Sequence, residues 1–161
     1  MLPREINVEE IRSFVDQCGP STRIYLGCDS ERLRANDRWY ADYVLAAVVH
    51  MNGNNGCRIF GSITQEMDFD QRADRPMMRL MNECYKVSEL YLALAPLLPE
   101  HQIEVHLDIN PDERHGSSCA VQQAIGYIRG TCNVIPFVKP DAFAASYAAD
   151  RLKDLRGRLA A

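Results

Sequence analysis

Residues 38–66 constrain the fold most. RWYADYVLAAVVHM and CRIFGSITQE are rich in β-branched and aromatic residues, and only NGNNG separates them. Asn and Gly tolerate the positive φ that tight turns demand, so the two runs are expected to fold back as antiparallel neighbours. A third strand, over residues 23–29, precedes them. The polar stretch SERLRANDR between reads as a loop, so the three runs form an antiparallel meander.

The flanking segments read as helices and parallel-type strands. NVEEIRSFVDQC opens with Asn7, has Glu10 three positions on, and puts Ile11, Phe14, Val15 and Cys18 on one face, a capped amphipathic helix ending at Gly19-Pro20. After the charged loop MDFDQRADRP, a long helix is expected over residues 76–98, with Met77, Leu80, Cys84, Val87, Tyr91 and Leu94 on one stripe. IEVHLDIN alternates strictly as a fourth strand. A helix follows near residues 117–129, then NVIPFVK as a fifth strand and a last helix from Pro140-Asp141 to about residue 155. A meander followed by βα alternation implies one α/β domain over residues 1–161, core about 23–155. Its sheet would be mixed and five-stranded, with helices on both faces and an extra helix at the N-terminus.

Composition narrows the function. The net charge of −4 argues against a nucleic-acid binder held by charge alone. It leaves room for an enzyme whose acidic site recruits cations. The six cysteines form no C-x-x-C pair, which disfavours zinc and suits a reducing, cytoplasmic setting. No apolar run reaches the ~18 residues of a membrane span.

Several acids stand out. Asp29 and Asp108 each close a strand-like run, IYLGCD and IEVHLD. Each has an ordinary reading as a turn residue. Glu83 lies about 60° around its helix from Leu80, at the edge of the apolar stripe, where a carboxylate needs a partner. An arginine would serve. Asp141 suits a helix N-cap, and Asp150 shares a side with Phe143 and Tyr147. Carboxylates that converge repel one another unless they hold cations. Mg²⁺ takes a few carboxylates plus water and phosphate oxygens. Two such ions clamp the attacking and leaving oxygens of a phosphoryl displacement.

The layout resembles the ribonuclease H-like superfamily, and more narrowly its YkuK-like family of predicted nucleases. The resemblance rests on LGCDS (26–30), NECYKVSEL (82–90), HLDIN (106–110) and VKPDAFAASYAADR (138–151). It implies strand order 3-2-1-4-5, with strands one and four adjacent and parallel. It also implies that Asp29 and Asp108 are central ligands of two Mg²⁺ or Mn²⁺ ions. Glu83 and Asp141 would complete the set, with Asp150 as substitute for Asp141. The activity implied is hydrolysis of phosphodiester bonds in nucleic acid, whether RNA, DNA or hybrid.

Among the other polar groups, Arg32, Arg34, Arg38 and Lys139 are candidates to meet substrate phosphates, or else to form ion pairs. His115 is a candidate proton donor to the leaving group. Two alternatives stand beside the nuclease. One is a non-catalytic binding or assembly module on the same fold; the other is a phosphohydrolase of small nucleotides.

Overall fold

The computed structural model describes residues 5–52, 56–144, 146–147 and 150–151. Helix α1 spans Val8–Asp16. The Asn7 side chain accepts the N–H groups of Glu9 and Glu10 at 2.9 and 3.4 Å, the expected cap. Strands β1 (Arg23–Ala35), β2 (Arg38–His50) and β3 (Cys57–Met67) form the meander, and β4 (Ile103–Leu107) lies on the other side of β1. The sheet order is β3-β2-β1-β4, with β4 parallel to β1 and the rest antiparallel. Helix α2 runs Met77–Leu94 and continues as a 3-10 turn, Ala95–Leu97. A second 3-10 turn, Gly116–Ala120, leads into α3, Val121–Cys132. Among the described residues no helix is long and apolar enough to cross a membrane.

Two expectations are corrected. The polar stretch 30–38 is not a loop. β1 continues to Ala35, and the ladder with β2 is unbroken from Arg23↔His50 to Ala35↔Arg38. Asn36 and Asp37, at φ 51° and 61°, make the turn. Two central residues of positive φ match the twist of a two-residue hairpin. Beyond Ser30 the β1 side of this ribbon carries the polar residues Glu31, Arg32 and Arg34 at half-buried or exposed positions, which conceals the strand, while β2 opposite still sends Ala41 and Tyr43 into the core. Its backbone is satisfied by pairing all the same.

The fifth strand is the second correction. Residues 134–139 run alongside β4, with Phe137 N–H donating to Val105 O at 2.9 Å and Leu107 N–H to Phe137 O at 2.8 Å. Only one bridge forms, His106↔Phe137. Alternate residues bond to one neighbour in a parallel pair, so Phe137 and Lys139 face β4 and Pro136 faces away; the Lys139 N–H bond to Ile109 O at 3.0 Å continues the contact past Leu107, where β4 ends. Among the described residues the sheet has four strands. Of the last helix, Ala144, Ser146, Tyr147, Asp150 and Arg151 are helical, and its expected end near residue 155 lies outside the described residues. The expected turn at 52–56 is described only at its ends, where Met51 N–H donates to Gly56 O at 2.9 Å.

The two sheet faces are unequal. Ile24, Leu26 and Cys28 of β1 and Ile103, Val105 and Leu107 of β4 join the main core with α1, α2 and α3. Tyr25 belongs to a small cluster on the other face with Ala46, Val48 and Ala144. Side chains alternate along a strand. Ser30 therefore shares the α2 side with Cys28, while Asp29 shares the opposite side with Tyr25. On β4 and its extension, Asp108 follows His106 to that same opposite side.

Candidate functional site

The site lies where β4 parts from β1. The last parallel pair is Cys28↔Leu107, so Asp29 and Asp108 are the next residues on neighbouring strands. Both are half-buried, and Asp29 acts on the ionisation of Asp108. Asp29 Oδ1 also accepts the Ser30 N–H at 2.8 Å. Asp108 Oδ1 receives the Lys139 ammonium at 2.6 Å and the Ser146 hydroxyl at 3.2 Å. Burial pushes the Asp108 pKa up. Hydrogen bonding with Lys139, Asp29 and Ser146 outweighs that and leaves it below the usual carboxylate range. The bond to Asp108 in turn raises Lys139, against burial, and the charges of Asp29 and Glu83 add to the effect.

Glu83 approaches from α2 and is 4% exposed. The Ser30 hydroxyl donates to its Oε1. Arg79, one turn earlier, donates through Nη1 to Ser30 O at 3.0 Å and Ser30 Oγ at 2.8 Å. Burial drives the Glu83 pKa well above its ordinary value. The Ser30 bond and Arg79 work against this, while the charges of Asp29 and Asp108 reinforce it. Burial and the Glu83 charge also hold the Cys28 thiol well above its normal value and push Cys84 up to about 12. These two thiols stay protonated and are poor ligands. All six cysteines are free, and Cys57 is exposed.

The placement of α2 decides where Glu83 points. Pro76 supplies no side-chain cap. Asp70, six residues upstream, does this work: its carboxylate accepts the N–H groups of Met78 and Arg79 at 2.8 and 2.9 Å. Arg32 ties the same loop to the hairpin, donating to Asp70 O at 2.8 Å and lying 2.7 Å from the buried Asp68 carboxylate. The N–H at that ion pair points off the line to the oxygen. Arg32 also lies under the Trp39 ring, 4.1 Å from its centroid. Its guanidinium is thus engaged in bracing the ribbon.

The remaining candidates are exposed. Arg34 and Arg38 are exposed at the tip of the ribbon, Arg34 lying 3.8 Å from Asp37 and beside Trp39. Asp141 is exposed, and its N–H donates to Val138 O. The N-cap position expected for Asp141 is filled by His106, whose Nδ1 accepts the N–H groups of Phe143 and Ala144 at 3.2 and 3.3 Å. His106 Nε2 lies 3.1 Å from Glu104, and its ring is buried. Asp150 is exposed on the last helix. No hydrogen bond or ion pair among the described residues joins Asp141 or Asp150 to Glu83 or Asp108. His115 is exposed and lines a cavity of about 390 Å³ with Asp74, Arg75 and Arg114.

Three carboxylates and no thiolate are the donors a hard divalent cation prefers, and their mutual repulsion is what such an ion would relieve. They do not yet share one coordination sphere. Among the described residues no group of three or more His, Cys, Asp or Glu is placed to hold a metal ion. The cause is visible in the sheet: Asp29 and Asp108 occupy one face, whereas Glu83 arrives from the other and is turned onto Ser30. Ser30, Arg79, Ser146 and Asp70 carry much of this geometry. None belongs to a residue class or spacing that marks such roles in sequence.

The family model described as ribonuclease H-like matches residues 7–154 of this chain. No curated protein matches the chain, and no solved structure does.

Proposed function

The chain belongs to the ribonuclease H-like family, and from that premise we propose that it is a metal-dependent nuclease hydrolysing phosphodiester bonds of nucleic acid. The observation that carries this reading is the delivery of Asp29 and Asp108 by adjacent parallel strands, with Glu83 near enough to feel both charges. Asp29 and Asp108 would be the central ligands of Mg²⁺ or Mn²⁺. Glu83 and a fourth carboxylate, Asp141 or in its place Asp150, would complete the set. A pair of such ions supplies an activated water and neutralises charge developing on the scissile phosphate.

The chain's own groups prepare for this. Asp29 and Asp108 are held at a fixed separation by the pairing of their strands. Arg79 orients Ser30, and Ser30 orients Glu83. The ribbon carries Arg34 and Arg38 outward from Asp29, where a nucleic-acid backbone would meet them. Arg32 acts indirectly, by bracing the ribbon against the 68–70 loop. His115 is the candidate proton donor to the leaving oxygen.

A second reading is a non-catalytic binding module on the same fold. It is favoured by the engagement of each carboxylate with a protein partner: Asp108 with Lys139, Glu83 with Ser30, Asp29 with the Ser30 N–H. Labelled RNA, DNA and hybrid oligonucleotides incubated with Mn²⁺ separate the two. The nuclease reading expects cleavage of at least one, lost in Asp29→Asn while the urea midpoint holds or rises, because repulsion falls. Undiminished cleavage by the folded variant would remove Asp29 from the chemistry. Absence of cleavage and of Mn²⁺ binding by the wild type would favour the module.

A further inference from the structure

Lys139 occupies an unusual position. Its ammonium lies 2.6 Å from Asp108 Oδ1, and the charges of Asp108, Asp29 and Glu83 all act on it. One tethered cation therefore contacts Asp108 and lies in the field of Asp29 and Glu83. Its backbone is fixed beside β4 by the Lys139 N–H bond to Ile109 O at 3.0 Å. Its side chain is 41% exposed against 15% for Asp108, so it reaches the acid from the solvent side. A long, flexible stem with water behind it can withdraw without moving the backbone.

We propose that Lys139 is a displaceable occupant of the carboxylate pocket, holding Asp108 until a hard divalent cation takes the place of its ammonium. In the metal-free protein the ammonium offsets the repulsion between Asp29 and Asp108. When the cation enters, it and the ammonium repel each other across Asp108 Oδ1, which weakens the hold on Lys139. The ammonium swings outward, on the side from which an anionic substrate would approach. Lys139 is thus a positioning residue that sets cation affinity through competition. The inference rests on the nuclease reading in one respect, that this pocket takes Mg²⁺ or Mn²⁺.

The test is calorimetric titration of the full chain with MnCl₂, comparing wild type, Lys139→Met and Lys139→Arg. Competition from a part-exposed ion pair should make Lys139→Met bind Mn²⁺ about fivefold more tightly. Lys139→Arg keeps the charge and should gain much less. Equal or weaker binding by Lys139→Met overturns the proposal, and so does an equal gain in Lys139→Arg. The wild type gives a second readout that needs no variant. Acetic anhydride labelling, read by mass spectrometry against Lys86, which is paired with Glu66 at 2.5 Å, should increase at Lys139 when Mg²⁺ saturates the protein. Unchanged or reduced labelling overturns the proposal. Mn²⁺ binding without these changes defeats the competition alone, whereas no Mn²⁺ binding by any of the three proteins defeats the nuclease reading as well.

Discussion

Replacing Glu83 with Gln should stabilise the metal-free protein, by an amount that grows with pH. The carboxyl is buried, and Asp29 and Asp108 disfavour its charge, so the folded state holds the proton well above the ordinary Glu value. The unfolded chain releases that proton above about pH 4.3. In the window above this, the folded state binds one more proton than the unfolded state. Stability of the wild type therefore falls as pH rises, by about 1.4 kcal/mol per pH unit for one group. Below that window both states are protonated and the cost disappears. Gln keeps the shape and still accepts the Ser30 hydroxyl, but has no proton to lose. Urea unfolding of both proteins in a chelator buffer at pH 4, 5 and 6 measures the difference. The stability gap should be small at pH 4 and widen by about 1 kcal/mol between pH 5 and 6. Contributions from all other titrating groups cancel to the extent that the variant leaves them unchanged. A gap that stays constant with pH would mean that Glu83 ionises normally in the fold, and the argument from burial and neighbouring acids would fail.

Further outcomes can be measured on the same footing. Asp70→Ala removes the acceptor for the Met78 and Arg79 N–H groups; losing such a cap costs about 1–2 kcal/mol and should lower Tm by roughly 3–6 °C in a chain of this size. Because Arg79 would then be less firmly held, Mn²⁺ affinity should fall as well, which titration would reveal. Gly116→Ala would put a Cβ 2.2 Å from the Asp74 carbonyl oxygen; the backbone must move, at a cost of about 1–3 kcal/mol by urea unfolding. An unchanged midpoint would contradict that close approach.

Much of the fold could be read along the chain, and the failures have definite causes. Asn7 announced α1, and the strict alternation of IEVHLDIN announced β4. The extension of β1 past Asp29 was hidden because its own residues there are mostly polar, the buried side chains of that stretch being Ala41 and Tyr43 of β2. Asn36-Asp37 was the available signal, since both residues tolerate positive φ. The strand expected at 133–139 does run beside β4, but its pairing amounts to the one bridge His106↔Phe137. Parity along β1 and β4 was legible and puts Asp29 and Asp108 on one side. Which side α2 would cover was not, so the opposed approach of Glu83 could not be foreseen. Asp70 lies outside the one-turn spacing by which caps are recognised. The partnership of Lys139 with Asp108 depends on two segments that meet only in the folded chain.

The alternation of side chains along β1 gives the acidic pocket an odd–even grammar. A single residue inserted between Gly27 and Asp29, with the earlier pairing kept, would turn the aspartate toward α2 and send the serine away from Glu83. Two inserted residues would restore the facing but carry the aspartate about 6.6 Å farther along the strand, out of step with Asp108. Length changes here are therefore not graded: the pocket admits no slippage in the strand that builds it.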